Sequence, residues 1–497
     1  MSSHSHFEPF RLRTIGHDAT ITTACGTLPL IYADWTASGR LYRDIEHTLS
    51  EEIGPYVANT HSESSTTGRL MTRAYHHALD IVRRHVGAGE DDVVLGCGTG
   101  ATGAINKLQR LLGLRVNERW QAKLRLSPTE RPVVFVTHME HHSNHVPWLE
   151  SLADVVVVPP DESGLVSPDC LEQTLREYAD RPLLIGSFTA CSNVTGIRTP
   201  YHRLAQVMHR RGGLCFVDFA ACAPYEQIVM HPPEPDAALD AIFFSPHKFL
   251  GGPGSCGILV FNGRLDSNRV PDEPGGGTVN WTNPWGGRSY IADVATREDG
   301  GTPGFLQMIR AALAVQLKER MDPLQIHSRE RAITAVALSA LQATEHVHVL
   351  APHVEDRLGI ISFYFDHLHF NLGVSLLNDR YGIQVRGGCS CAGTYGHYLL
   401  GIDEDTSARI TAQIDGGNLA EKPGWIRLSL HPTTTDEEVA TIVRAIAEIA
   451  DTGPELARDY VYDPLSNEFA HTGSQATAVS RDRTPAHAQS WRSWFGD

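Results

Sequence analysis

The amino-acid sequence predicts an α/β protein: a large domain with a mostly parallel seven-stranded sheet, then a smaller α+β domain. Seven apolar runs of strand length recur at 93–95, 133–136, 155–158, 183–185, 214–217, 241–244 and 258–261. Most lack polar alternation, as strands buried on both faces do. Most are separated by stretches long enough for a helix, such as 201–211 behind Thr199-Pro200, the signature of βαβ units. The last runs stand close together, so one antiparallel strand is expected at an edge of the sheet.

Residues 264–304 break the pattern with Gly, Pro, Asn and Trp, including GGGTVNWTNPWGG. A loop this long inside a compact domain is usually functional or an interface element. Residues 305–320 read as a helix, followed by strand-like ISFYF at 361–365, a helix around 374–381 and a strand-like run at 425–430. HPTTTDEEV then opens a capped amphipathic helix. The expected boundaries are an N-terminal arm over 1–30, a large domain over 31–311, a small domain over 312–451 and a polar, weakly patterned tail over 452–497.

The 497 residues are 41% hydrophobic, 20% charged and 8% aromatic, an ordinary globular composition. The 42 basic and 58 acidic residues leave a formal net charge of −16. That balance argues against nucleic acid or an anionic membrane as a partner of the whole surface. Only Lys107, Lys123, Lys248, Lys318 and Lys422 carry lysine amines, so any amine chemistry has a short roster. The nine cysteines are scattered, which fits a reduced, cytoplasmic chain rather than a disulfide framework. No leader-like apolar segment opens the chain, and no run reaches the roughly 18 apolar residues of a spanning helix.

Six segments carry chemistry. Gly98 to Gly103 (GTGATG) follows a predicted strand and precedes a helix. It matches G-x-G-x-x-G formally, but the acidic residue of a dinucleotide site has no strand to sit on. An anion seat at the helix N-terminus and a bare tight turn both remain open. THMEHHSNHVPW (137–148) holds four histidines; metal binding, ring stacking or acid–base work by His141, and plain structural roles all fit. Asp218 ends a buried strand, where open α/β sheets bind ligands, or where it caps the next helix. Ser245, His247 and Lys248 leave another strand together, and a desolvated lysine there would serve as a Schiff-base nucleophile and proton shuttle. Cys389 and Cys391 share a Gly-rich loop with Arg386, which favours a reactive thiolate, metal binding lacking further ligands at matching spacing. Arg427 in WIRLSL fits either a solvated strand face or a carboxylate clamp.

In order, the chain reads Asp34-x-x-Ala37-Ser38, Gly100-Ala101-Thr102, Glu140-His141-His142-Ser143-Asn144, Ser192-Asn193-Val194-x-Gly196, Val217-Asp218, Ser245-x-His247-Lys248, Gly301-Thr302-Pro303, Arg386-x-Gly388-x-x-Cys391-Ala392 and Arg427-x-Ser429. This series resembles the class V branch of the fold-type-I pyridoxal-phosphate enzymes, and within it the cysteine desulfurases and selenocysteine lyases. The resemblance spans about 31–445. It implies a homodimer with pyridoxal 5'-phosphate in the large domain. By resemblance, Lys248 would bind the cofactor and move the Cα proton. Asp218 would pair with its ring nitrogen, and His141 would stack on the ring. Ala101, Thr102, Ser245, His247 and the neighbouring subunit's Thr302 would hold the phosphate. Asn193 would sit near the ring oxygen and the substrate carboxylate. Ala37 and Arg386 would line the substrate side, and Arg427 would clamp the carboxylate. Cys391 would take sulfur from L-cysteine, leaving alanine and a persulfide for a protein or small-molecule acceptor.

Two departures stand out. Ala221 occupies the place where the family usually has Gln, and Cys389-Ser390 precede the reactive cysteine where the nearest subgroup often has histidines. A C–S lyase, epimerase or aminotransferase would use the same lysine, and an NAD-dependent oxidoreductase reading of the glycine motif leaves Ser-x-His-Lys unexplained.

Overall fold

The computed structural model describes residues 3–473. The chain forms two compact units. One comprises Ser38–Ser192 and Arg198–His327; the other comprises the described residues up to Ala37, Asn193–Ile197 and those from Ser328 on.

The larger unit is organised by seven strands: β1 (Asp92–Cys97), β2 (Val133–Thr137), β3 (Asp154–Val158), β4 (Leu184–Thr189), β5 (Leu214–Asp218), β6 (Ala241–Phe244) and β7 (Gly257–Asn262). Their spatial order is β1-β7-β6-β5-β4-β2-β3. Strands β6, β5, β4, β2 and β3 are mutually parallel. The antiparallel strand is present but not at the edge: β7 lies between β1 and β6, antiparallel to both. Its short connection from β6 forces the reversal, and β1 closes the edge beyond it. β1 therefore runs in the same sense as the other five, so its carboxyl end opens on the same side of the sheet.

Every residue of β2 (VVFVT) and β4 (LIGSFT) is buried, the apolar residues of both together with Thr137, Ser187 and Thr189. Helix α1 (Ala101–Leu111) lays Ala104, Ile105 and Leu108 on β1 and β7 residues such as Leu95 and Leu259, with Trp148 and Phe216 in the same core. Ile105 and Leu108 are fully enclosed, each burial worth roughly 1.5–3 kcal/mol. Residues 264–304 form an exposed hairpin, Val279–Thr282 against Arg288–Tyr290, and a one-turn helix, Val294–Arg297.

The smaller unit carries an antiparallel sheet of β8 (Val347–Val349), β9 (Ile360–Phe365), β10 (Arg386–Gly388) and β11 (Trp425–Ser429), ordered β8-β9-β11-β10. Ile361, Phe363, Ile426 and Leu428 pack with Ile442, Ile446 and Ile449 of the helix Asp436–Leu456. Thr435 and Glu438 cap that helix reciprocally. Residues 452–473 finish the helix and add a hairpin, Tyr460–Asp463 against Glu468–His471. Tyr460 buries in the same core, which is what orders a stretch with little sequence pattern. The rest of the expected tail, 474–497, lies outside the described residues. Among the described residues, no helix is long and apolar enough to cross a membrane.

Candidate active site

In the larger unit, the carboxyl ends of β1, β2, β5 and β6 deliver one cluster. The chain leaves β1 through Gly98, whose φ is +51°, and enters α1 at Ala101. The Ala101 amide donates to Ser245 Oγ at 2.8 Å, joining the helix N-terminus to the segment behind β6. A side chain at Gly100 would put its Cβ 3.1 Å from Ser245 Oγ and 3.6 Å from His247 Nε2. Glycine thus keeps a cup open among the helix amides, a serine hydroxyl and an imidazole. Thr102 Oγ1 adds a hydroxyl at the rim and shares a 2.7 Å hydrogen bond with Ser143. Burial, then the neighbouring Lys248 charge, pushes the His247 pKa down to about 4, leaving a neutral ring. These donors suit a phosphate.

Lys248 ends the one-turn helix Pro246–Lys248 and is half-buried. Its amide donates to Ser245 O at 3.0 Å. The turn is closed by Gly252, where a Cβ would overlap the Pro246 carbonyl. Asp218, the last residue of β5, is buried and accepts from the Ala220 amide at 2.8 Å. Burial raises its pKa to about 6, against the Ala220 bond and the pull of Lys248. A buried carboxylate with one amide partner suits a cationic N–H placed beside it. His141 caps the helix α2 (His142–Leu149), its Nδ1 accepting the Ser143 amide at 3.1 Å. In the neutral ring the proton therefore sits on Nε2.

Lysine burial does not by itself single out Lys248. Lys107 and Lys318 are more buried. Lys107 pairs with Glu298 at 3.0 Å and Asp272 at 3.3 Å, tying α1 to the 264–304 segment. Lys318 is held by the carbonyls of Ala223, at 2.7 Å, and Glu226. Lys248 differs in leaving a strand next to Asp218.

Glu140 was missed by motif reading. Its carboxylate is enclosed and accepts from Thr137 N and Oγ1, Thr189 N and Asn144 Nδ2. It thereby joins the ends of β2 and β4 to α2 just behind His141. Burial, outweighing those bonds, raises its pKa to about 8. A carboxyl raised above its ordinary value stabilises the fold below pH 4.5, and that contribution fades as pH rises through about 8. Glu140→Gln should therefore flatten the loss of unfolding free energy between those limits. Urea unfolding at a series of pH values checks this, and an unchanged slope would contradict it.

Thr302 is exposed on a loop, its Oγ1 accepting from Asn59 at 3.2 Å.

The smaller unit assembles the other residues. All five residues of β11 are buried, Arg427 included, which excludes the solvated-face reading. Arg427 bonds Asp34 Oδ1 at 3.0 Å and the Asn193 carbonyl at 3.2 Å, while its buried Nε has no protein partner. Burial lowers its pKa, and Asp34 opposes that. The second Asp34 oxygen takes Arg386 Nε and Nη2, each at 3.0 Å. Ala37 closes the Asp34 turn, its amide donating to Asp34 O at 3.0 Å. Asn193 donates through Nδ2 to the Ser390 carbonyl at 2.8 Å, and its buried Oδ1 is unsatisfied. Cys391 is exposed and Cys389 half-buried; all nine cysteines are free thiols. Ser390 and Cys391 both adopt left-handed φ, +52° and +55°, at about 1–2 kcal/mol each.

Asp34 is a second residue that spacing did not single out as functional. Asp34→Ala should leave Arg427 charged and uncompensated, costing about 3–5 kcal/mol. Chemical denaturation of the smaller unit's transition would show it; a loss below about 1 kcal/mol, the exposed-pair range, would refute the role.

This pairing of a parallel-sheet unit, with lysine and aspartate at adjacent strand ends, and an antiparallel-sheet unit defines the fold-type-I class. Solved structures share the fold. The apo cysteine desulfurase from Thermococcus onnurineus NA1 aligns with TM-score 0.72 at 21% identity, over 89% of this chain and 98% of that one. The cysteine desulfurase CsdA from Escherichia coli, in an S-sulfonic acid form, aligns with TM-score 0.67 at 22% identity, over 90% and 98%. Among curated proteins, probable cysteine desulfurases from Staphylococcus aureus and Halalkalibacterium halodurans are 28% and 27% identical over 368 residues. These cover 73% of this chain and 83% and 84% of those proteins. The aminotransferase class-V family model matches residues 31–442. The chain belongs to the class V aminotransferase family.

Proposed function

We propose that this protein is a pyridoxal-phosphate-dependent cysteine desulfurase, converting L-cysteine to L-alanine and carrying the sulfur as a persulfide on Cys391. The observation that carries the reading is the exposed Cys391 turn, hydrogen-bonded through Asn193 to the buried Arg427. The names of the curated relatives support it.

Ala101, Thr102, Ser245 and His247 would hold the phosphate, helped by Thr302 of a second subunit. Lys248 would hold the cofactor's aldehyde carbon through its amine, with Asp218 on the ring nitrogen and His141 over the ring. Bound pyridoxal phosphate supplies an electron sink that acidifies the Cα–H of an amino acid. Lys248, poised beside an acid rather than exposed to bulk water, carries that proton away and returns it. Asp218 keeps the ring nitrogen protonated, because a buried carboxylate is stabilised by a cationic neighbour. Arg427 offers its planar guanidinium, including the unsatisfied Nε, to the substrate carboxylate. Cys391 attacks the substrate sulfur as a thiolate. An S–S bond forms as the Cβ–S bond breaks, and the carbon fragment takes up a proton to become alanine. A reducing compartment such as the cytoplasm keeps the thiol available, and a protein or small-molecule thiol receives the sulfur.

Product analysis tests the proposal. The holoenzyme with L-cysteine should yield alanine and sulfide in equal amounts once a reductant is added. Pyruvate and ammonia, a racemised amino acid or a keto acid in place of alanine would overturn it in favour of lyase, epimerase or aminotransferase chemistry.

A further inference from the structure

Resting on that reading, we infer that Cys389 is a resolving thiol. When no acceptor thiol has taken the sulfur, it attacks the Cys391 persulfide and expels hydrosulfide, leaving a Cys389–Cys391 disulfide.

The two thiols share one tight turn. The Ala392 amide donates to the Cys389 carbonyl at 3.0 Å, and the two residues between have left-handed φ. That is a type I′ geometry, normally the province of Gly and Asn. The bend puts the Cα atoms of Cys389 and Cys391 roughly 5–6 Å apart, within disulfide span. The turn is braced: Asn193 holds the Ser390 carbonyl, and Arg427 holds the Asn193 carbonyl. The enforced φ values at Ser390 and Cys391 keep this conformation from relaxing into an extended strand that would separate the thiols. Exposure is graded as the chemistry requires, with Cys391 open to take up sulfur and Cys389 half-buried behind it. Of the other seven cysteines five are buried, and the exposed Cys25 and half-buried Cys170 have no cysteine beside them in sequence, so the turn is where two accessible thiols stand together.

The step balances. Cys389 gives up its S–H proton to solvent, and its thiolate attacks the sulfur bonded to Cys391 Cβ. The Cys389–Cys391 S–S bond forms, the bond to the outer sulfur breaks, and that sulfur leaves as hydrosulfide with the electron pair. The two cysteines have lost one electron each to the departing sulfur. A dithiol or low-molecular-weight thiol then reduces the disulfide and restores both for the next turnover. Without reductant the chain stops after one turnover, so sulfur release becomes redox-gated.

The test is one turnover of the full-length holoenzyme with a single equivalent of L-cysteine, so that no free thiol remains once the substrate is consumed. Alanine and sulfide are quantified, and the tryptic peptide 387–409 is weighed after alkylation under acid-quench conditions. The wild type should release about one sulfide per alanine, with that peptide unalkylated and two hydrogens lighter than the dithiol. Cys389→Ser should retain an additional sulfur atom on Cys391 and release at least about ten-fold less sulfide per alanine, the intramolecular advantage being lost. Wild-type peptide that keeps the extra sulfur and an alkylated Cys389, while alanine forms normally, would overturn the resolving role and leave the desulfurase reading intact. Absence of alanine would overturn both.

Discussion

Lys248→Ala is expected to abolish turnover, by on the order of 10³-fold or more, since it removes both the proposed cofactor anchor and the proposed proton carrier. The other three lysines of the larger unit are engaged elsewhere. Lys107 is committed to Glu298 and Asp272, and Lys318 to backbone carbonyls. Lys123 lies over the exposed Trp120 ring, 4.3 Å from its centroid. The variant should fold, because Lys248 is half-buried and its turn is closed by backbone contacts that alanine keeps. Two measurements check it: turnover of L-cysteine, and borohydride fixation of the cofactor followed by absorbance of the denatured chain. A variant retaining a substantial fraction of wild-type turnover, or still fixing cofactor, would refute the assignment.

The second large effect is at Cys391. Cys391→Ala should lower sulfur release by on the order of 10²–10³-fold, because the proposal makes its thiolate the nucleophile rather than a binding group. Stability should barely change, since alanine keeps the Cβ and the left-handed strain at φ +55°. Cys391→Gly sharpens the contrast. Glycine reaches that φ without penalty, so this variant should be as inactive yet more stable by up to about 1 kcal/mol, net of glycine's greater unfolded-state freedom. Thermal unfolding beside a sulfide assay separates the two. An active glycine variant would refute the nucleophile, and a destabilised one would refute the strain.

These two variants bracket what was legible in the chain. The seven strands could be read because strands buried on both faces advertise themselves as unbroken apolar runs, as VVFV in β2 and CFV in β5 do. Ser-x-His-Lys behind one strand and Asp218 at the end of another could be read because chemistry at a sheet edge needs residue types that a core avoids. The position of β7 could not. Closely spaced runs imply an antiparallel connection, but only pairing shows that β1 joins outside it. The tail's hairpin was equally silent, since Tyr460 and Phe469 gain their burial from a core assembled from residues spread between Ile31 and Ala450.

Arg427 shows the division most clearly. Its sequence, Ile-Arg-Leu-Ser, alternates as a half-solvated strand does, and the local pattern carries no sign that both faces are covered. In the fold, Asp34 comes from almost four hundred residues away to neutralise it, and Asn193 arrives from another connection. Glu140 is similar: four donors from three elements converge on one carboxylate. The order of residue types along the chain therefore pointed to the class, to the strands of the sheet and to the lysine proposed here, because those depend on local pattern and composition. The charge of a buried arginine, the ionisation of a buried acid and the bend that brings two thiols together were decided only in three dimensions. Each is set by which distant groups exclude water from it and which ones replace that water.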